Sequence, residues 1–497
     1  MRCSIYEVKI SESQRDDWIE NVHPTSTSNG YGDKNVQRER YIELFDLHKD
    51  PVTKLPNIPN DIWREKFCGL VDDKKRLNDT PPEVRKDIKW AFAEYVHRVK
   101  AKFPFKNKED DDIEKLFLKF VDKSTKNEIK HDFSFNLRDK DGKKLDIEMP
   151  SVIDEKFDYR YKYENNPLGV INKSHTYNKV SDQFQEKNRM KCGTNSTPSP
   201  WDIWQDKNKL ANMNWHWWRE GAVGDCRIDE KRIRSGFRLG TYIATQFRPM
   251  AAKTIYDLYQ AKNIIDPSCG WGDRLAAFYA SESAELYVGC DPNPEVYKTY
   301  IEQCQEYERF LGYNAKVETK DDYFICKGKK TVWIWNTPAE AKEFAIDRFF
   351  SNQFDLSFTS PPYFDTEKYG ENQEGQEKQS WYKHTTFDKW QKNFLYKSSE
   401  KISNMLSSNG KMLINIIEPR TKKGTRHNLC DNMVDYLTSE TNCGYEGKLG
   451  LRMMGRPNSE LKEYRNEVGD VIGYGKPGLQ GCVIEPIWVF KNEVRNV

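Results

Sequence analysis

From about Ser235 onward, short apolar runs alternate with amphipathic stretches, and a sharp turn closes each run. That rhythm restricts the fold more than any other feature. IYDLYQAKNIIDPSCGWGDRLAAFYA reads as a helix, an apolar strand, a glycine-containing turn and a second helix. AELYVGCDPNPEVYKTYIEQCQEY repeats the scheme with an acidic turn. TVWIWNTPAEAKEF, FDLSFTSPPY, GKMLINIIEP and GCVIEPIWVF supply further strands. Strand and helix in alternation predict an α/β fold with a mostly parallel sheet, covered on both faces. Ligands of such sheets bind at the carboxyl ends of the strands, and the unusual turns of this chain all fall there.

The first half has a different texture. TPPEVRKDIKWAFAEYVHRVK predicts a helix, with Thr80 as cap, Pro81 in the first turn and Glu83 completing a capping box. Val84, Ile88, Ala91, Phe92, Tyr95, Val96 and Val99 follow helical spacing and give it one buried face. DDDIEKLFLKFVDK predicts a second helix, and the alternation through Phe133–Leu137 and Leu145–Met149 predicts a hairpin. Residues 1–150 are therefore expected to form an α+β accessory domain. Residues 151–235 read as a loop-rich linker or target-recognition region, because Asn, Lys, Ser and Pro dominate their first fifty positions. The NWHWWREG cluster within them suits either a packing block or a base-stacking platform. Residues 236–497 are the α/β domain.

Composition removes several function classes. The net charge of +2 over 497 residues gives no general attraction to nucleic acid, so any such role must rest on local patches. Hydrophobic residues make up 37%, and no run approaches a membrane span. The eleven cysteines include no C-x-x-C pair, which speaks for reduced thiols and against a zinc site. With no apolar leader at its start, the chain is expected to be intracellular and soluble.

In DPSCGWGDR, Gly270 and Gly272 allow a tight turn close to a ligand, and Asp266 at the strand end can accept a hydrogen bond. Asp291 ends the next strand, well placed for the two hydroxyls of a ribose. Neither the full dinucleotide pattern nor a P-loop is present. A ribose-bearing cofactor with a cationic end, such as S-adenosyl-L-methionine, suits this combination better than a pyrophosphate does.

The ordered series DPSCGWG, VGCDPN, TPAE and TSPPYF resembles the motif series of the amino-methyltransferases, which methylate exocyclic amines of DNA bases from S-adenosylmethionine. The resemblance runs from about Gly236 to Lys491, taking in FRPMAAKTIYD and EPIWVFK. It implies a Rossmann-like class I methyltransferase fold with a seven-stranded sheet. It also implies a cofactor site of Phe247, Asp266, Pro267, Gly270, Gly272, Asp291 and Glu340. The S-P-P-Y form is most typical of the cytosine-N4 branch, and it makes Ser360, Pro361, Pro362 and Tyr363 the catalytic turn. Tyr363, Phe364 and Tyr369 are expected at the substrate, Tyr363 as a stacking ring and Phe364 also as packing under the turn. Ser268 and Cys269 stand where the family usually carries phenylalanine. Cys269 and Cys290 read as small packing residues. Glycine-punctuated YGENQEGQEKQSWYKH could be a lid or an exposed loop.

The expected partner is DNA, with RNA less favoured. Target selection would fall to residues 1–235, to the 418–482 excursion or to a separate subunit. Adenine N6, an RNA base and a glutamine side chain remain alternative acceptors, because each offers a conjugated nitrogen. An inactive scaffold with the same fold is the reading of a different class.

Overall fold

The computed structural model describes residues 34–59, 82–105, 110–130, 138–143, 145, 167–172, 174–194, 196–213, 230–419, 426–453, 462–465, 469–475 and 484–493. The chain divides into two compact units, residues 1–107 with 189–244, and residues 108–188 with 245–497. The expected hairpin strands around residues 133–137 and 146–149, the cap at Thr80 and the NWHWWREG cluster lie outside the described residues.

In the first unit, the described elements are the helices Lys34–Leu47, Pro82–Arg98, Pro200–Gln205, Lys207–Met213 and Glu230–Gly240, with a bridge between Lys49 and Pro56. The apolar stripe of Pro82–Arg98 is buried as its spacing requires: Ile88, Ala91, Phe92, Tyr95 and Val96 pack with Phe45, Leu210, Ile233 and Phe237. A capping box of Ser199 and Asp202 opens the Pro200–Gln205 helix.

The second unit is built on an eleven-stranded sheet. Its strands are β1 (Ile129–Lys130), β2 (Pro167–Ile171), β3 (Asn263–Asp266), β4 (Leu286–Cys290), β5 (Lys316–Thr319), β6 (Tyr323–Lys327), β7 (Thr331–Trp335), β8 (Phe354–Thr359), β9 (Leu406–Asn415), β10 (Cys443–Arg452) and β13 (Ile484–Asn492). A separate hairpin joins β11 (Lys462–Arg465) to β12 (Val471–Gly475). The sheet runs β1-β2-β10-β13-β9-β8-β3-β4-β7-β6-β5. Strands β9, β8, β3, β4 and β7 are mutually parallel, and β13 enters antiparallel between β9 and β10. The chain moves outward from β3 through β4 to β7, then returns to β8 on the other side of β3. This reversal makes β3/β8 the switch point at which a crevice opens.

Both faces of the parallel strands are buried. Ile265, Val288, Ser357 and Met412 share one face in register, packed with Trp390, Phe394, Ile402, Met433 and Val434 from the helical segments that follow β8 and β9. On the other face, Phe358 meets Tyr256 and Tyr287 meets Phe278, from the helices Pro249–Leu258 and Asp273–Ala280.

Two expectations are corrected. The sheet has eleven strands rather than seven, because the β5–β6 hairpin extends one edge and β2 with β1 extends the other. Residues 167–188, expected to be linker, belong to this second unit. There β2 pairs with β10, and the Lys179–Arg189 helix buries Val180, Ser181 and Gln185. Gln185 donates to the Val296 carbonyl at 3.3 Å, and Tyr307 donates to the Val180 carbonyl at 2.9 Å. Among the described residues, no helix is long and apolar enough to cross a membrane.

Candidate functional site

The buried run Ile264–Ile265 carries β3 to Asp266, whose carboxylate is wholly enclosed. Asp266 accepts from Arg274 Nε at 2.7 Å, from the Tyr287 hydroxyl at 2.6 Å and from Ser268 N at 3.1 Å, with Arg274 Nη2 a further 3.3 Å contact. A carboxylate has about four acceptor positions, and all are taken. That leaves the Asp266 carboxylate no free acceptor for a cofactor. It braces the turn through Arg274, which also donates to the Ser268 carbonyl and lies 5.7 Å from the Phe247 ring centre and 5.9 Å from that of Phe358. Phe247 packs edge-on against Phe358 at 5.3 Å.

Beyond Pro267 the chain turns through Gly270 and Gly272, both at positive φ (60° and 70°). Gly272 sits in the left-handed region that strains any other residue, and a Cβ there would also push Gln303 Oε1 aside at 2.1 Å. Gly289, one residue before the end of β4, is equally constrained: a Cβ there would meet Cys269 Sγ at 2.3 Å. Burial pushes the Cys269 and Cys290 thiols well up. They are packing groups, as the sequence suggested, and not thiolate nucleophiles.

Asp291 is held differently. Its Oδ2 accepts from Gly270 N at 3.1 Å and Tyr300 OH at 3.3 Å, while Oδ1 accepts from Asn293 N at 2.9 Å. Burial raises its pKa to about 6, against the pull of these donors. Oδ1 keeps room for a further donor. After β7, Glu340 accepts from Lys383 Nζ at 2.6 Å on Oε1, and its Oε2 is buried with no hydrogen-bond partner. Two acceptors, on β4 and β7 turns, are therefore open beside a backbone turn stripped of side chains.

At the end of β8, Pro361 and Pro362 leave no N–H for ladder bonds and hold Ser360 and Tyr363 in a fixed turn. The Tyr363 hydroxyl donates to Glu485, and the Asn415 carbonyl lies 3.3 Å away. Phe364 has φ 57°, a conformation that a bulky residue adopts only when its surroundings impose it. Its ring is buried against Phe387, Trp390 and His427, so Phe364 packs under the turn. Tyr369 lies beside Trp271 at 5.7 Å, and its carbonyl accepts from Trp381 Nε1 at 2.9 Å. The segment from Tyr369 to His384 is folded rather than an open loop. Gly375 packs so close to Pro294 that a Cβ would lie 2.6 Å from Cδ, and Lys383 reaches Glu340.

Phe247, Pro267, Gly270, Gly272, Asp291, Glu340, Ser360, Pro361, Pro362 and Tyr363 all belong to the turns and strand ends around the carboxyl side of β3, β4, β7 and β8 or to the segment before the Pro249–Leu258 helix. Sequence reasoning missed Arg274, Tyr300, Asn415 and Glu485. Tyr300 carried no signal, since it reaches Asp291 only through the helix Pro294–Phe310. Glu485 did carry one, as an acid inside the apolar run IEPIWVF.

No family model matches the chain, and no curated protein matches it. Among solved structures it is similar to YcgJ from Bacillus subtilis, at 11% identity over 49% of this chain and 97% of that one, with a TM-score of 0.27. It is also similar to Trm1 from Pyrococcus horikoshii in complex with S-adenosyl-L-methionine (13% identity, 50% of this chain, 57% of that one, TM-score 0.29). A third is TrmN from Thermus thermophilus (11%, 49% and 48%, TM-score 0.27). The chain thus spans only about half of the last two. TM-scores this low leave the architecture to be read from the strand order itself. Parallel strands wound outward from a β3/β8 switch point, with one reversed strand between β9 and β10, make the second unit a Rossmann-like fold of the class I methyltransferase type.

Proposed function

We propose that this protein is an S-adenosylmethionine-dependent methyltransferase acting on an exocyclic base amine in DNA, with cytosine N4 as the favoured acceptor. The observation that carries the reading is the S-P-P-Y turn at the end of β8, beside the glycine turn of β3 and the open carboxylate of Asp291 on β4.

The residues present fit the cofactor. Asp291 would take the ribose hydroxyls, and the orphaned Oε2 of Glu340 would accept from the adenine amine. The Gly270–Gly272 turn would admit the amino-acid end, with Phe247 alongside. When bound, S-adenosylmethionine supplies a sulfonium methyl group.

An exocyclic amine is a poor nucleophile, because its lone pair is delocalised into the ring. The Ser360 hydroxyl and the Pro361 carbonyl would accept hydrogen bonds from its two N–H groups, draw those hydrogens out of the ring plane and localise the lone pair. The proton that the nitrogen sheds after methylation would pass to water. Two prolines fix those acceptors to within the tolerance that in-line attack at about 3 Å requires. The Tyr363 ring gives the extruded base a surface to stack on.

The test is transfer of radiolabelled methyl groups from S-adenosylmethionine into DNA, RNA and total protein offered side by side. Label is expected in DNA and lost in Ser360→Ala. Label confined to RNA or protein would sink the DNA reading.

A further inference from the structure

We propose that His384 reads the adenine ring of the cofactor, its Nε2–H donating to adenine N1 while Glu340 Oε2 accepts from the N6 amine; this rests on the S-adenosylmethionine site proposed above. His384 follows the short helix Ser380–Lys383, and its backbone N–H closes that helix on the Ser380 carbonyl at 3.0 Å. The helix is anchored by two tryptophans. Trp381 Nε1 donates to the Tyr369 carbonyl at 2.9 Å, and Trp390 Nε1 donates to the Ser380 hydroxyl at 3.3 Å. Lys383 then grips Glu340 Oε1 at 2.6 Å. The His384 ring is carried to the same carboxylate, and the two side chains are only 11% and 5% exposed.

Two polar atoms are left over there. Glu340 Oε2 and His384 Nε2 are both buried, and neither has a hydrogen-bond partner among the described residues. Their side chains do not satisfy each other, since Nε2 stands 3.9 Å from Glu340 Oε1, beyond hydrogen-bond reach. A buried polar atom without a partner is costly. Two of them on neighbouring side chains mark a place where a ligand supplies the partners.

Their polarity selects the edge of that ligand. The Glu340 carboxylate, paired with Lys383, only accepts. Burial pushes the His384 pKa down, against the pull of Glu340, so at neutral pH the ring carries a single N–H. The neighbouring carboxylate oxygen draws that proton to Nε2. An acceptor beside a donor matches adenine, which offers N6–H next to the N1 lone pair. Hypoxanthine, with an oxygen at position 6 and N1–H, presents the reverse pattern. His384 also arrives on the segment that leaves the S-P-P-Y turn, so one stretch of chain runs from the proposed target turn to the cofactor.

The test is calorimetric binding of S-adenosylhomocysteine and its 1-deaza analogue, in which C–H replaces N1, to the full chain. Wild type should bind the analogue about tenfold more weakly. His384→Phe keeps a ring and removes the donor. It should bind S-adenosylhomocysteine about tenfold more weakly than wild type and no longer distinguish it from the analogue. His384→Gln retains an N–H donor and should recover part of the discrimination. Equal binding of the two ligands by wild type would overturn the inference without any variant. So would a His384→Phe loss that leaves the N1 discrimination intact, the mark of a ring that merely packs beside Glu340. Wild type that binds no S-adenosylhomocysteine would instead sink the cofactor reading itself, and this inference with it.

Discussion

Asp291 keeps a carboxylate where water scarcely reaches it, and its pKa is raised to about 6 as a result. Two opposite consequences follow. In the proposed site, ribose hydroxyls would donate to the ionised form, so affinity for the cofactor should weaken as pH falls through about 6, approaching about tenfold per pH unit below it. Stability moves the other way. Between the unperturbed carboxylate value and about 6 the folded chain binds more protons than the unfolded one, so this group's contribution to stability rises as pH falls through that window. Calorimetric titration of S-adenosylhomocysteine between pH 5 and 8, alongside denaturation at the same pH values, separates the two trends. Asp291→Asn should flatten both. A cofactor affinity that is flat down to pH 5 would remove Asp291 from the site.

The turn between β3 and the Asp273–Ala280 helix is the element on which the site rests, and the Asp266–Arg274 pair is its brace. Both side chains are buried, at 0% and 4% exposure, with N–O at 2.7 Å. Removing one partner from such a pair leaves an uncompensated buried charge. Arg274→Met should therefore cost about 3–5 kcal/mol in denaturant unfolding. The double variant with Asp266→Asn should recover part of that loss, and a single-variant loss under about 1 kcal/mol would show that the brace is idle.

At this scale the sequence was a good guide where local chemistry decides the outcome. Asn263–Asp266, Leu286–Cys290, Thr331–Trp335 and Phe354–Thr359 are the strands that apolar runs and turn residues announce. It misled where tertiary contacts decide. Nothing in the residue types of Ser357 and Thr359 announces their burial, yet both are buried. Asp266 and Asp291 look alike as acids ending neighbouring strands. Only the approach of Arg274 and Tyr287 to the first and of Gly270 and Tyr300 to the second separates a brace from an open acceptor. Residues 167–171 lack a turn-bounded alternation of their own, and they become a strand because the edge of β10 gives their backbone hydrogen-bonding partners.

At the scale of the whole molecule, the methyltransferase-type unit draws on more of the chain than its motif series does. Residues 108–188 add a helix that packs Phe117 on Tyr307 at 4.6 Å, and the strands β1 and β2. That leaves residues 1–107 and 189–244 as a separate compact unit with its own core around Phe45, Phe92, Tyr95 and Phe237. In the proposed function, the S-P-P-Y turn methylates an exocyclic base amine. The most direct measurement incubates the full chain with methyl-deuterated S-adenosylmethionine and mixed-sequence DNA, digests the DNA to nucleosides and reads them by mass spectrometry. Deuterated N4-methylcytosine is expected, and is absent with Ser360→Ala. Deuterated N6-methyladenine would keep the chemistry and overturn the acceptor, and DNA with no deuterated base at all would contradict the claim.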